Sequence, residues 1–337
     1  MSDAQRPVAV IGAGAWGTTL GCMLAERGMP VRLWAATQDL ATEIEQRQEN
    51  VTYLPGVRLP EGLTVSADGW QVLADAGTVI WVVPSVWLRE SAARLAPCLV
   101  GEPLMISATK GLERGSGLRM SQVLAEELGA QWEPEIVALS GPNLSGEIVH
   151  RMPALSVAAS TNQRRAHDAQ RLLSSPLFRV YRNYDIIGVE LCGALKNVIA
   201  IAAGVSDGLG YGDNAKAALI TRGLAEMRRL GVKLGAHPET FAGVAGMGDL
   251  ITTCASTLSR NYSTGRRLAA GESCEQIQAS MKAVAEGIFT AQAEVELAER
   301  VGVEAPIAQA VHAVLFEGLD PGEGAAALMT REQKAEY

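Results

Sequence analysis

Short, mainly apolar runs alternate with longer amphipathic stretches through the first half of the chain. Val8–Ile11 is such a run and Gly12 follows at once. Residues 15–27 then read as a helix that stops at Gly28. Val31–Trp34, 78–83, Leu104–Ser107, 136–139, Ala154–Ala159 and 178–181 continue the series of apolar runs. Strands buried on both faces require this pattern, and their alternation with helices predicts a βαβ layout around a parallel sheet. From about Gly188 the pattern changes. Residues 189–205 read as one long apolar helix, and Asp213 reads as the N-cap of a helix over 213–230 with Gly231 as its C-cap. On that helix Ala217, Ile220, Leu224 and Met227 fall on one face. Further helices are predicted at 274–281, 290–300 and Pro306–Phe316, and the tail after Met329 reads as frayed. The pattern divides the chain into an α/β domain over 1–188 and an all-α domain over 189–337.

Composition narrows the picture. The chain has 337 residues, enough for two cores. Its formal net charge of -8 gives no broad attraction to nucleic acid or anionic lipid, though one small phosphate could sit in a local basic pocket. The 35 glycines suit tight turns and close backbone approach. Cys22, Cys98, Cys192, Cys254 and Cys274 are odd in number and widely spaced, which fits reduced core thiols of a cytoplasmic protein. The start carries no secretory apolar core. The most apolar long stretch contains Glu190 and Lys196 and reads as no membrane span. His150, His167, His237 and His312 form no metal motif.

Candidate chemistry begins at Gly12-Ala13-Gly14-Ala15-Trp16-Gly17, a G-x-G-x-x-G placed between a strand and a helix. In that context Gly12 permits the turn, Gly14 lets a pyrophosphate approach, and Gly17 lets helix and strand pack. The helix N-terminus adds free N–H groups and partial positive charge. This predicts a Rossmann-type dinucleotide site. Trp34-Ala35-Ala36-Thr37, where such a site reads the ribose, carries neither an acid nor an arginine, and Thr37 suits an N-cap as well as a ribose contact.

Lys196 lies in the long apolar helix. Desolvation there would lower its pKa and suit proton transfer near neutral pH; snorkelling or pairing with Glu190 is the alternative. Asp249, after the flexible-looking loop Gly246-Met247-Gly248, could cap a helix or orient Lys196. Arg260, between Ser259 and Asn261, offers a phosphate fork, with a surface ion pair as the alternative. Lys110 stands just beyond one strand, and Ser140-Gly141-Pro142-Asn143 just beyond another, where open α/β sheets bind ligands.

With these residues assembled, the chain resembles the bacterial NAD(P)-dependent glycerol-3-phosphate dehydrogenases. The resemblance covers residues 12–19, Val83-Pro84-Ser85, 107–113, 139–147, 188–204, 214–231, 246–266 and 284–287. It implies a Rossmann-type parallel-sheet domain joined to an all-α domain, a 6-phosphogluconate dehydrogenase-like architecture. It also implies reversible NAD(P)H-dependent reduction of dihydroxyacetone phosphate to sn-glycerol 3-phosphate, a phospholipid precursor, in a cytoplasmic homodimer. By position Lys196 matches the general acid/base. Lys110 matches a residue facing cofactor and substrate, and Asp249, Gly141 and Asn143 match substrate contacts. Ser259, Arg260 and Asn261 match the phosphate grip, Arg260 also nearing the cofactor. Gly12, Gly14, Ala15, Trp16 and Gly17, Ser145 (usually Ala), and the late pair Val284 and Glu286 match cofactor contacts. Many members carry a basic residue where this chain has Ala36, so the sequence predicts weak discrimination between the cofactors or a tilt toward NAD. Two other readings stay open: a ketopantoate or β-hydroxyacid dehydrogenase, whose substrates bear a carboxylate, and a nucleotide-binding regulator without catalysis.

Overall fold

The computed structural model describes residues 6–281, 283–333 and 335; residues 1–5 of the start and residues 334, 336 and 337 of the polar tail lie outside the described residues. Eight strands form one sheet in the order β3-β2-β1-β4-β5-β6-β7-β8. They are β1 (Val8–Ile11), β2 (Val31–Trp34), β3 (Leu63–Ser66), β4 (Thr78–Trp81), β5 (Leu104–Ser107), β6 (Ile136–Ser140), β7 (Ala154–Ala159) and β8 (Phe178–Asn183). Helices α1 (Ala15–Ala25), α2 (Gln38–Arg47), α3 (Gly69–Leu73), α4 (Ser85–Leu95), α5 (Met120–Leu128), α6 (Ser145–Val149) and α7 (Gln163–Leu173) connect them.

Alternate residues of each strand feed opposite layers. Val8 and Val10 pack with Leu20 and Leu24 of α1 and Ile44 of α2. Ala9 and Ile11 pack with Leu88 and Leu95 of α4 and Val123 of α5. Both faces are covered, so β1, β4, β5 and β6 are buried at every position. β3 escapes the apolar pattern because it is an edge strand in which only Leu63 is buried.

The sheet departs from the all-parallel expectation at one joint. β1 to β6 pair in parallel, but β7 runs antiparallel to β6, with Ser140 opposite Val157. β8 then returns parallel to β7. The β6–β7 connection holds only α6, five residues long, or about 7 Å of helix. That is too short to carry the chain back across the sheet.

The second half is helical: α8 (Ile186–Gly208), α9 (Asp213–Lys233), α10 (Pro238–Ala242), α11 (Asp249–Ala255), α12 (Arg260–Ala269), α13 (Cys274–Ser280), α14 (Glu286–Val301), α15 (Pro306–Phe316) and α16 (Pro321–Met329). α8 is the axis, started by Asp185, whose carboxylate accepts from Gly188 N at 2.8 Å. α8 is long and apolar enough to cross a membrane, yet 89% of its most apolar window is buried inside the protein. It reaches α12 by backbone contact: a Cβ on Gly204 would stand 2.0 Å from the carbonyl of Tyr262.

α9 differs from its sequence reading at both ends. Gly212 is the N-cap and Asp213 the first helical residue. Gly231 lies inside the helix, where a Cβ would stand 2.1 Å from the Phe241 ring; it is a packing glycine, and the chain turns away instead at Gly235, with φ 95°. Of the face marked by Ala217, Ile220, Leu224 and Met227, Met227 is buried, Ile220 and Leu224 are half-buried, and Ala217 is exposed. All five cysteines are buried free thiols.

Candidate active site

The loop after β1 is shaped by contacts that only glycine allows. Gly12 has φ 122°, and a Cβ there would meet the Val82 backbone at 2.9 Å. A Cβ on Gly17 would overlap the Gly12 carbonyl at 1.9 Å, so the first turn of α1 sits directly on the loop. Gly14, the N-cap, makes no side-chain cap bond. A Cβ added to it would meet nothing within 4 Å. The open first turn with its free N–H groups therefore fits a pyrophosphate. Trp16 turns its ring against Phe178, 6.2 Å between centroids, and leaves its backbone on the loop. Thr37 caps α2, its hydroxyl accepting from Leu40 N at 3.4 Å.

The charged centre joins three distant segments. Lys196, only 6% exposed, projects from α8. Its ammonium donates to Asp249 Oδ1 and, at 2.7 Å, to Thr253 Oγ1. Lys110, past the end of β5, donates to Asp249 Oδ2 at 2.8 Å and to the Gly141 carbonyl at 2.9 Å. Asp249 thus bridges two lysines. It does not cap α11, since Gly248 is the N-cap. Glu190 does not pair with Lys196; it accepts from Arg119 and from Ser121 N at 2.8 Å. Gly246-Met247-Gly248 is no loop but part of a π-helical turn, Val244–Gly248, in which Gly248 N donates to Gly243 O at 3.2 Å.

Burial pulls the Lys196 pKa from 10.5 down to about 8, with Lys110 pushing the same way and Asp249 opposing. Burial alone would raise the Asp249 carboxyl, but the two lysines hold it below its ordinary value. The result is a carboxylate fixed as an anion beside an amine that can give or take a proton near neutral pH.

Gly141, with φ 152°, admits no Cβ because the Leu155 carbonyl would lie 2.8 Å away. Asn143 donates to Leu155 O at 3.0 Å and accepts from Ser156 Oγ at 3.1 Å, holding this loop to β7. Ser145 opens α6. The Ser140 hydroxyl is buried without a partner among the described residues, close against Gly193 on α8.

At the start of α12 the three expected phosphate residues divide their work. Ser259 is the N-cap, its hydroxyl accepting from Tyr262 N at 3.2 Å. Asn261 donates to Asn197 Oδ1 at 2.8 Å and accepts from Gly287 N at 2.9 Å. Arg260 donates no hydrogen bond among the described residues. Its side chain is exposed, yet desolvation by the surrounding protein lowers its pKa and the Glu286 charge opposes that. Glu286 reaches across to the start of α4, accepting from Ser85 N at 2.9 Å and from Ser85 Oγ. Burial raises its pKa. Val284, half-buried, precedes it. Thr253 and Asn197 escape a reading for charged groups. Their signal is spacing: Thr253 lies one helical turn beyond Asp249, and Asn197 follows Lys196.

A buried amine poised near neutral pH, together with a strand–turn–helix loop shaped for pyrophosphate, is the equipment of a nicotinamide-dependent dehydrogenase. The comparisons make the class specific. Residues 7–166 match the model of the NAD-dependent glycerol-3-phosphate dehydrogenase N-terminus, and residues 185–326 match that of its C-terminus. Glycerol-3-phosphate dehydrogenase [NAD(P)+] of Geobacillus kaustophilus is 46% identical over 330 residues, covering 98% of this chain and 96% of the relative. That of Chlorobium phaeobacteroides is also 46% identical, covering 98% and 99%. The crystal structure of glycerol-3-phosphate dehydrogenase from Coxiella burnetii superposes with a TM-score of 0.92 at 39% identity, over 97% of this chain and 99% of that one. The chain belongs to the NAD-dependent glycerol-3-phosphate dehydrogenase family.

Proposed function

We propose that this chain interconverts dihydroxyacetone phosphate and sn-glycerol 3-phosphate, and that Lys196 is its general acid/base. The observation that carries the proposal is the buried Lys196 ammonium, with a pKa of about 8, held against the Asp249 carboxylate. The glycine loop, residues 12–17, would hold NAD(P)H, which when bound would supply a hydride for carbon 2. Lys196 gives its Nζ proton to the carbonyl oxygen as the C=O bond becomes C–OH, and takes that proton back in the reverse direction. Asp249 stays ionised and keeps both lysines in place. Lys110, fixed between Asp249 and Gly141, faces the polar end of the substrate together with Asn143. Arg260 grips the phosphate, for which its uncommitted donor fork suits. Ser259 and Asn261 set the start of α12 so that Arg260 stays uncommitted for the phosphate, and Glu286 with Val284 folds the helical half back onto the cofactor. Ser145 contributes at the N-terminal end of α6.

In this reading residues 1–188 hold the cofactor and 189–337 supply most of the catalytic and phosphate-binding groups. The protein works as a cytoplasmic homodimer feeding phospholipid synthesis. Following NAD(P)H absorbance with dihydroxyacetone phosphate and with ketopantoate tests it. Oxidation with the phosphate substrate alone is expected; turnover of ketopantoate alone, or of neither, rejects it. Light scattering on the eluting protein checks the dimer.

A further inference from the structure

The end of β2 is where a Rossmann sheet tells the two nicotinamide cofactors apart. An acid there bonds the ribose 2′-hydroxyl; a cation there accepts the 2′-phosphate. Residues 34–38 read Trp-Ala-Ala-Thr-Gln, so the strand end itself brings neither. Another element does. Arg94, in the last turn of α4, donates from Nη1 to the carbonyl of Ala36 at 3.2 Å. Its guanidinium lies 5.3 Å from the centre of the Trp34 ring.

The arrangement leaves an anion site open. A guanidinium carries five N–H donors, and Arg94 commits one to the protein among the described residues. No carboxylate pairs with it there. Arg89, one and a half turns earlier on the same helix, is by contrast tied to Glu113, Glu126 and Glu127. The acids nearest the site in sequence make no ion pair with Arg94: Asp39 sits in the first turn of α2, and Asp68 accepts from Trp70 N at 2.9 Å to cap α3. The side chain of Ala36 is a bare methyl, exposed, and fills none of the space a basic residue would occupy. The ten-residue α2 begins at Gln38, two residues past Ala36, so its positive dipole end adjoins that residue. The cation–π contact with Trp34 restrains the guanidinium, which lowers the entropy lost when it binds.

We propose that Arg94 binds the 2′-phosphate of NADPH, in place of a basic residue at position 36, and that this chain favours NADPH over NADH. The sequence expectation of weak discrimination or an NAD tilt rested on position 36 alone. A cation that arrives 58 residues later in the chain is invisible at that address.

Calorimetric titration of the full chain with 2′,5′-ADP and with 5′-AMP, which differ only in the 2′-phosphate, tests this without turnover. Wild type is expected to bind 2′,5′-ADP at least about ten-fold more tightly. Arg94→Ala and Arg94→Gln, the latter keeping an N–H donor for Ala36, are expected to shrink that preference to roughly three-fold or less. Both should leave 5′-AMP affinity within about two-fold. The NADPH-to-NADH ratio of kcat/KM should fall in parallel. Equal affinity of the wild type for the two nucleotides overturns the assignment. So does a preference that survives both substitutions, or an equal loss of both nucleotides, which would mark Arg94 as structural. Wild-type binding of neither nucleotide overturns the cofactor site along with it.

Discussion

The loop after β1 and the cluster around Asp249 lie at strand ends of one sheet, yet they are built by opposite means. The loop works through absence of side chains: Gly12 and Gly17 let backbone lie on backbone, and Gly14 leaves its outer side clear. Its donors are neutral N–H groups that need no titration. The cluster works through charge: Lys110 and Lys196 converge on Asp249 from segments 139 and 53 residues away. Its balance depends on burial. A backbone cradle tolerates changes of pH and fails through sterics; a buried ion cluster tolerates little change of charge and responds to pH.

Single substitutions separate the two. Lys196→Ala should lower kcat by roughly 10²–10⁴-fold and leave NADPH affinity, read by fluorescence titration, within about two-fold. A comparable loss of cofactor affinity would break the separation. Asp249→Asn should cost roughly 10²-fold in kcat, because it leaves two lysines facing each other without their anion. The pH profile sharpens this. The Lys196 pKa of about 8 requires kcat/KM for ketone reduction, which needs the protonated amine, to fall above pH 8, and that for alcohol oxidation to rise through it. Asp249 raises that pKa against burial and Lys110, so in Asp249→Asn both limbs should move to lower pH; an unmoved limb would assign the titration elsewhere.

The loop should answer differently. Gly14→Ala places a methyl in open space, so Tm should hold while NADPH binding weakens by about ten-fold. Gly17→Ala drives its methyl into the Gly12 carbonyl and should lower stability by about 1–3 kcal/mol in a denaturant titration. Equal melting of the two variants would erase the distinction between an open and a packed glycine. The smallest effect is expected for Thr253→Val, which removes one acceptor from Lys196 at little change of volume. A loss of about three- to ten-fold in kcat with KM unchanged would fit one hydrogen bond to a charged group that acts in the chemical step.

How much of this was legible in the sequence follows the same division. The glycine loop is local, and its strand–turn–helix setting could be read from a dozen residues. Lys196, Asp249, Lys110 and Arg260 could be picked out individually, helped by the family resemblance. Their partners could be read only in part: Asp249 beside Lys196 was one of two readings, and the rest were not visible. That Asp249 takes both lysines, and that Glu190 goes to Arg119, depends on how α8, α11 and the strand ends meet. The antiparallel β7 was hidden because an apolar run reads the same in either direction. β3 was hidden because its four residues, Leu63-Thr64-Val65-Ser66, are half polar and only Leu63 is buried. Arg94 was hidden because its role arises only where α4 crosses the end of β2.

The π-helical turn Val244–Gly248 carries one residue more per turn than an α-helix and runs straight into Asp249. Gly246 fits there only because it has no Cβ, which would lie 2.2 Å from the Phe241 carbonyl. Deleting a single residue from this stretch would let an ordinary α-turn form, and would rotate everything beyond it by about 100°. The Asp249 carboxylate would then face away from both amines while the helix stayed intact. For anyone trimming or grafting this fold, the segment that looks most like spare loop is the phase marker of the catalytic helix, and its length is not negotiable.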